Sequence, residues 1–83
     1  MGPWSADAIE WTERAEVELA RHHVSPTEVE QVFMNDPRWF RNKKRRAGNY
    51  MMKGRTDGGR SLTVVVRWDE EETLLRVITG WEM

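Results

Sequence analysis

Arg55, Arg60 and Arg67 sit in one stretch of turn and strand residues, Gly54-Arg55-Thr56-Asp57-Gly58-Gly59-Arg60 followed by Leu62-Thr63-Val64-Val65-Val66-Arg67-Trp68, and Arg76 follows shortly after. Held on paired strands, such guanidinium groups suit a phosphodiester. Cleaving RNA through its own 2′-hydroxyl needs charge stabilisation on the phosphorane, activation of the hydroxyl and protonation of the leaving oxygen. Arginine supplies the first through bidentate hydrogen bonds. The other two steps need a proton carrier, and Tyr50, His22, Thr79 and Glu82 are the side chains available for it. The same arginines equally suit cross-strand ion pairs or snorkelling surface positions. His22 and His23 are the only histidines. At a corner between two helices a histidine either moves a proton or only bonds a carbonyl left open by the helix end. Neighbouring histidines point apart, and no cysteine or spaced carboxylate completes a ligand set, so no metal site is expected.

A second cationic group, Lys43-Lys44-Arg45-Arg46, lies close to Trp39, Phe40 and Tyr50. Charge beside ring faces is the mixture that attracts the backbone of single-stranded RNA and stacks its bases. The alternative is a solvated hairpin loop with at least one of Trp39 and Phe40 in the core. Charge is strongly segregated along the chain: residues 1–37 carry a net −6, residues 38–68 a net +9 and residues 69–83 a net −4. A basic middle between acidic ends favours a polyanionic ligand or an acidic partner.

Eighty-three residues make one small domain, 1–83, in which five tryptophans supply much of the core. The absence of cysteine excludes disulfides and fits a reducing cytosol. No apolar run approaches the roughly 20 residues that span a bilayer, and the first residues lack the pattern of a signal peptide. The expectation is a cytoplasmic protein that does not enter a membrane.

Two helices must come first. Thr12 is placed to cap a helix over 13–23, with Ala15, Val17, Leu19 and Ala20 available for one apolar face. Ser25, Pro26 and Glu28 spell a capping box with proline at the first helical position, and Asn35-Asp36-Pro37 ends that second helix. Strands follow over 38–42, 49–55, 60–68 and 73–79, with a basic loop at 43–48. In the last of these, Leu75, Val77 and Thr79 are expected on one face. Asp57-Gly58 suits the positive φ of a hairpin turn. The fold class is therefore α+β, two N-terminal helices on one face of a four-stranded antiparallel meander. Ala8-Ile9-Glu10-Trp11 reads either as a short extra edge strand or as the lead into the first helix.

The strings Arg21-His22-His23-Val24-Ser25-Pro26-Thr27-Glu28-Val29-Glu30-Gln31-Val32-Phe33, Gly54-Arg55-Thr56-Asp57-Gly58-Gly59-Arg60-Ser61-Leu62 and Val77-Ile78-Thr79 resemble the BrnT-type toxin family nearly end to end. That resemblance implies a ribosome-independent ribonuclease of the RelE-like superfold in a bacterial toxin–antitoxin system. It further implies an RNA substrate, no cofactor and a DNA-binding cognate antitoxin as partner. By position, His22 matches the family's helix-corner histidine, and His23 stands where glycine is common. Arg55 and Arg60 match the arginines around the turn. Trp81 stands where the family carries a late-strand arginine, and the terminal helix of longer members is missing.

Two function classes follow. In the first, Arg55, Arg60 and Arg67 polarise a scissile phosphate while His22 or Tyr50 moves a proton, and Lys43, Lys44, Arg45, Arg46 and Trp39 bind RNA. In the second, the chain is a non-catalytic RNA-binding or protein-interaction module of the same fold. A homodimer whose aromatic surface serves assembly is a third expectation.

Overall fold

The computed structural model describes residues 1–43 and 48–83. After a single turn of 3₁₀ helix at Pro3–Ser5 come strand β1 (Ala8–Glu10), helices α1 (Glu13–Arg21) and α2 (Pro26–Met34), and strands β2 (Arg38–Arg41), β3 (Tyr50–Arg55), β4 (Ser61–Asp69) and β5 (Leu74–Glu82). No helix among them is long and apolar enough to cross a membrane.

Local chemistry explains both helices. Thr12 Oγ1 accepts the Ala15 N–H at 3.1 Å and so satisfies a donor that the first turn of α1 leaves open. In α2 the capping box closes in both directions, Ser25 Oγ accepting the Glu28 N–H at 3.2 Å and Glu28 Oε1 accepting the Ser25 N–H at 3.1 Å. The corner between the helices is a Schellman motif. The His23 N–H donates to Ala20 O and the Val24 N–H to Leu19 O, both at 3.0 Å, and His23 takes the left-handed conformation with φ of 60°. A side chain there is strained by about 1–2 kcal/mol, while glycine costs some unfolded-state entropy. His23→Gly is expected to raise stability by about 0.5–1 kcal/mol in urea titrations at unchanged m-value. A loss of stability instead would mean that the imidazole makes a contact outweighing the strain.

The helices and the 3₁₀ turn leave one sheet of five strands, ordered β1-β5-β4-β3-β2. Its β5-β4-β3-β2 part is the antiparallel meander expected from the hairpin signals, but the sheet is mixed, because β1 joins β5 in parallel with Ile9 opposite Leu75. The segment around Ala8 to Glu10 is thus an edge strand, and the four-stranded expectation falls short by one. The turn after β3 also differs from expectation in detail. Thr56 and Arg60 close a three-residue loop, through Gly59 N–H to Thr56 O at 3.0 Å and Thr56 N–H to Arg60 O at 2.9 Å. The positive φ falls on Gly59 at 90°, after the Asp57-Gly58 pair.

A bulge in β5 has a larger effect. Val66 pairs with Val77 but Val65 pairs with Thr79, so Ile78 is an extra residue. The expected alternation therefore holds only as far as Val77. Beyond the bulge, Gly80 and Glu82 lie opposite the buried Val64 and Leu62 on the helix side, and Trp81 turns away. Gly80 fits closely there: a Cβ would lie 3.2 Å from Leu19 Cδ2 of α1 and 3.1 Å from Thr63 O, so these neighbours would have to give by a few tenths of an ångström. The core lies between helices and sheet, where Leu19, Val29, Val32, Met52, Leu62, Val64, Val66 and Leu75 are fully buried.

Candidate nucleic-acid interface

Both helices pack on the face of the sheet that carries Met52, Val64 and Val66. The pleat sends the alternate residues to the other face. Register then places Arg38 and Phe40 of β2, Met51, Lys53 and Arg55 of β3, Thr63, Val65 and Arg67 of β4, and Arg76 of β5 together there. Two pairs of cations stand directly opposite one another: Arg38 faces Lys53, and Arg67 faces Arg76. Like charges in opposed positions weaken a sheet.

The two pairs are treated differently. Arg76 is neutralised locally, bonded through Nε to Glu10 of β1 and through Nη1 to Asp69 Oδ2 at 3.3 Å. Those bonds, Glu10's first and then Asp69's, raise its already high pKa. The Lys53 ammonium instead lies 5.2 Å from the centroid of the Phe40 ring. Arg55 and Arg67 are exposed, and Arg55 enters no ion pair with any described residue. This face is cationic, with the Phe40 ring on β2 and Trp81 on β5 opposite Thr63.

Arg60 behaves otherwise, because the Thr56–Arg60 closure puts it on the helix side. Its Nη1 donates to both oxygens of Glu28 and to His23 O, each at 2.9 Å, while Nη2 and Nε donate to Glu82 Oε1 at 3.1 and 3.3 Å. One guanidinium thus ties the start of β4 to the head of α2, the helix corner and the end of β5. The β5 bulge is what brings Glu82 round to it. Hydrogen bonds to Glu28 and then Glu82 raise the Arg60 pKa further.

Glu28 belongs to this clamp and to the capping box at once. Burial pushes its carboxyl up, but hydrogen bonds from Arg60 and Ser25 outweigh that and hold it below the ordinary 4.5. A carboxyl depressed on folding stabilises fully above its unfolded value and loses that contribution as pH falls through the native one. Glu28→Gln is therefore expected to flatten the stability–pH curve below about pH 4.5, measured by denaturant titration across the acid range. An unchanged acid limb would exclude Glu28 as a source of that dependence.

Of the remaining residues singled out by sequence, His22, Tyr50 and Trp39 lie apart from the cationic face. His22 closes α1 at the β5 edge, with Nε2 3.8 Å from Glu18 Oε2 and its ring 6.4 Å from that of Trp81. Thr79 Oγ1 also donates to Glu18 Oε2, at 3.2 Å. A cleft of about 380 Å³ opens there between α1 and β5, but none of Arg55, Arg60 and Arg67 lines it. Tyr50 sits opposite Val66 on the helix side under the Arg41 guanidinium, 5.2 Å from its ring centroid. Trp39 is on that side too, packed edge-on against Phe33 with centroids 6.2 Å apart. Lys43 is exposed in the turn after β2. Lys44, Arg45 and Arg46 lie outside the described residues.

The structure thus brings Arg55 and Arg67 to one face and leaves Arg60, His22 and Tyr50 elsewhere. Arg38, Lys53 and Phe40 join the first two without having been singled out as site residues. The signal for them was the period-two alternation of Arg38-Trp39-Phe40-Arg41 and Met51-Met52-Lys53, undecided until the register showed which aromatic goes inward. Among the described residues no three His, Asp or Glu side chains converge as metal ligands. The chain matches no model of a known protein family, no curated protein and no solved structure.

Proposed function

We propose that this chain binds single-stranded RNA on its helix-free sheet face, through Arg38, Lys53, Arg55 and Arg67. The observation that carries this reading is the direct opposition of Arg38 and Lys53 on an otherwise well-patterned sheet, a pair with which no carboxylate of the described residues forms an ion pair. An arrangement that weakens the fold is retained most readily where a polyanion offsets it. In sequence, the basic run at 43–46 follows β2 directly. RNA as the polyanion rests on the resemblance to BrnT-type toxins, and an antitoxin of the kind that resemblance implies would neutralise the chain by covering these cations.

Binding is favoured over cleavage by the placement of the proton carriers. Tyr50 is on the opposite side of the sheet from Arg55 and Arg67, and His22 is at the β5 edge against Glu18 and Trp81. The test is a labelled single-stranded RNA pool incubated with purified protein without metal. The expected result is a complex with no fragments, whose affinity falls with salt at a log–log slope of about −0.7 per phosphate contact. Fragments that survive extensive purification and vanish in Arg55→Ala would restore the ribonuclease reading. Absence of salt-sensitive binding would overturn both.

A further inference from the structure

We infer that Phe40 is a base-stacking platform at the β2 edge of this cationic face, so that the ligand is read as an unpaired strand and not only as a line of phosphates. The inference rests on the RNA-binding reading above. Trp39 and Phe40 are adjacent, and the pleat must send one inward and one outward. Trp39 fills the helix side against Phe33, where its area is buried with the core. Phe40 is left 39% exposed on the face that no helix covers. Its neighbours there are Met51 directly opposite and Lys53 on the diagonal.

That setting is poor for a ring whose task is packing. The Lys53 ammonium lies 5.2 Å from its centroid, a contact of small value where water has access. It is a good setting for a base. A nucleobase laid on the ring would replace the ammonium and free Lys53, with Arg38 directly opposite it, to meet the neighbouring phosphate. Only an unpaired base offers its face in this way, because a duplex hides it in the stack. Trp39, Tyr50 and Trp68 are on the helix side, and Trp81, on the helix-free face opposite Thr63, lies on β5 beside His22, three strands from Phe40.

The experiment compares wild type, Phe40→Leu and Phe40→Trp against two fluorescent probes, a uridine decamer and an abasic decamer with the same backbone. Folding of each variant is checked by its thermal midpoint. Phe40→Leu is expected to weaken uridine-decamer binding about tenfold with an unchanged salt slope, and Phe40→Trp to bind at least as tightly as wild type. All three proteins are expected to bind the abasic probe alike. Equal uridine-decamer affinity of wild type and Phe40→Leu overturns the stacking role while leaving the RNA-binding reading intact. A parallel loss on both probes assigns Phe40 a purely structural role and overturns it too. If wild type binds neither probe, the RNA-binding reading fails and takes this inference with it.

Discussion

Arg60→Ala is expected to lower the thermal midpoint by several degrees while changing RNA affinity less than Arg55→Ala does. The guanidinium holds Glu28, Glu82 and the His23 carbonyl together. Removing it leaves two carboxylates facing each other and a helix-corner carbonyl without its donor. Arg60→Lys should recover only part of the loss, since an ammonium cannot reproduce the two-sided fork. A double-mutant cycle with Glu28→Gln should show strong coupling, because the two substitutions remove the same contact. The measurement is a set of paired unfolding and RNA-binding curves. If Arg60→Ala folds as well as wild type and abolishes binding, Arg60 is a ligand-contacting residue and the clamp is secondary.

The double change Lys53→Glu with Arg55→Glu should act in the opposite sense on the two readouts. It exchanges two cations of the helix-free face for anions, and single-stranded RNA affinity is expected to fall on the order of a hundredfold at about 0.1 M salt, with a shallower salt slope. Stability should hold or rise, because the carboxylate introduced in place of Lys53 would stand across from Arg38 where a like charge stood before, an exchange worth about 0.2–1 kcal/mol. Loss of binding together with loss of fold would show instead that these cations are structural. Unchanged binding would place the interface elsewhere on the molecule.

Much of this architecture is legible wherever the information is local. The capping box of Ser25 and Glu28, the cap at Thr12 and the two hairpins each depend on residues a few positions apart, and each occurs where the residue types point. What was not legible depends on long-range partners. The three residues of β1 carry no pattern of their own and become a strand only because β5 offers an edge 66 residues later. The Ile78 bulge leaves no mark in a β-branched run, yet it reverses the facing of every later residue in β5. That reversal turned Trp81 outward and gave Arg60 its second carboxylate. The candidate site was legible as a charge excess but not as a surface. Arginines on both sides of one strand look alike in sequence, and only the turn geometry separates Arg55 and Arg67 from Arg60.

Strand β2 has a neighbour on one side only, so its outer edge presents backbone donors and acceptors to any chain able to pair with them. Its inner residues, Trp39 and Phe40, are of the kind that favours such pairing. If two copies met there antiparallel over all four residues, Arg38 of each would oppose Arg41 of the other at both ends of the ladder. Arg38, one of the cations that make the face attractive to a polyanion, thus also acts with Arg41 as a gatekeeper against sheet extension and aggregation. Their protection is electrostatic and weakens as salt screens it. Colloidal stability and RNA affinity should therefore decline together as ionic strength rises, which makes low salt the condition that best keeps these edges apart.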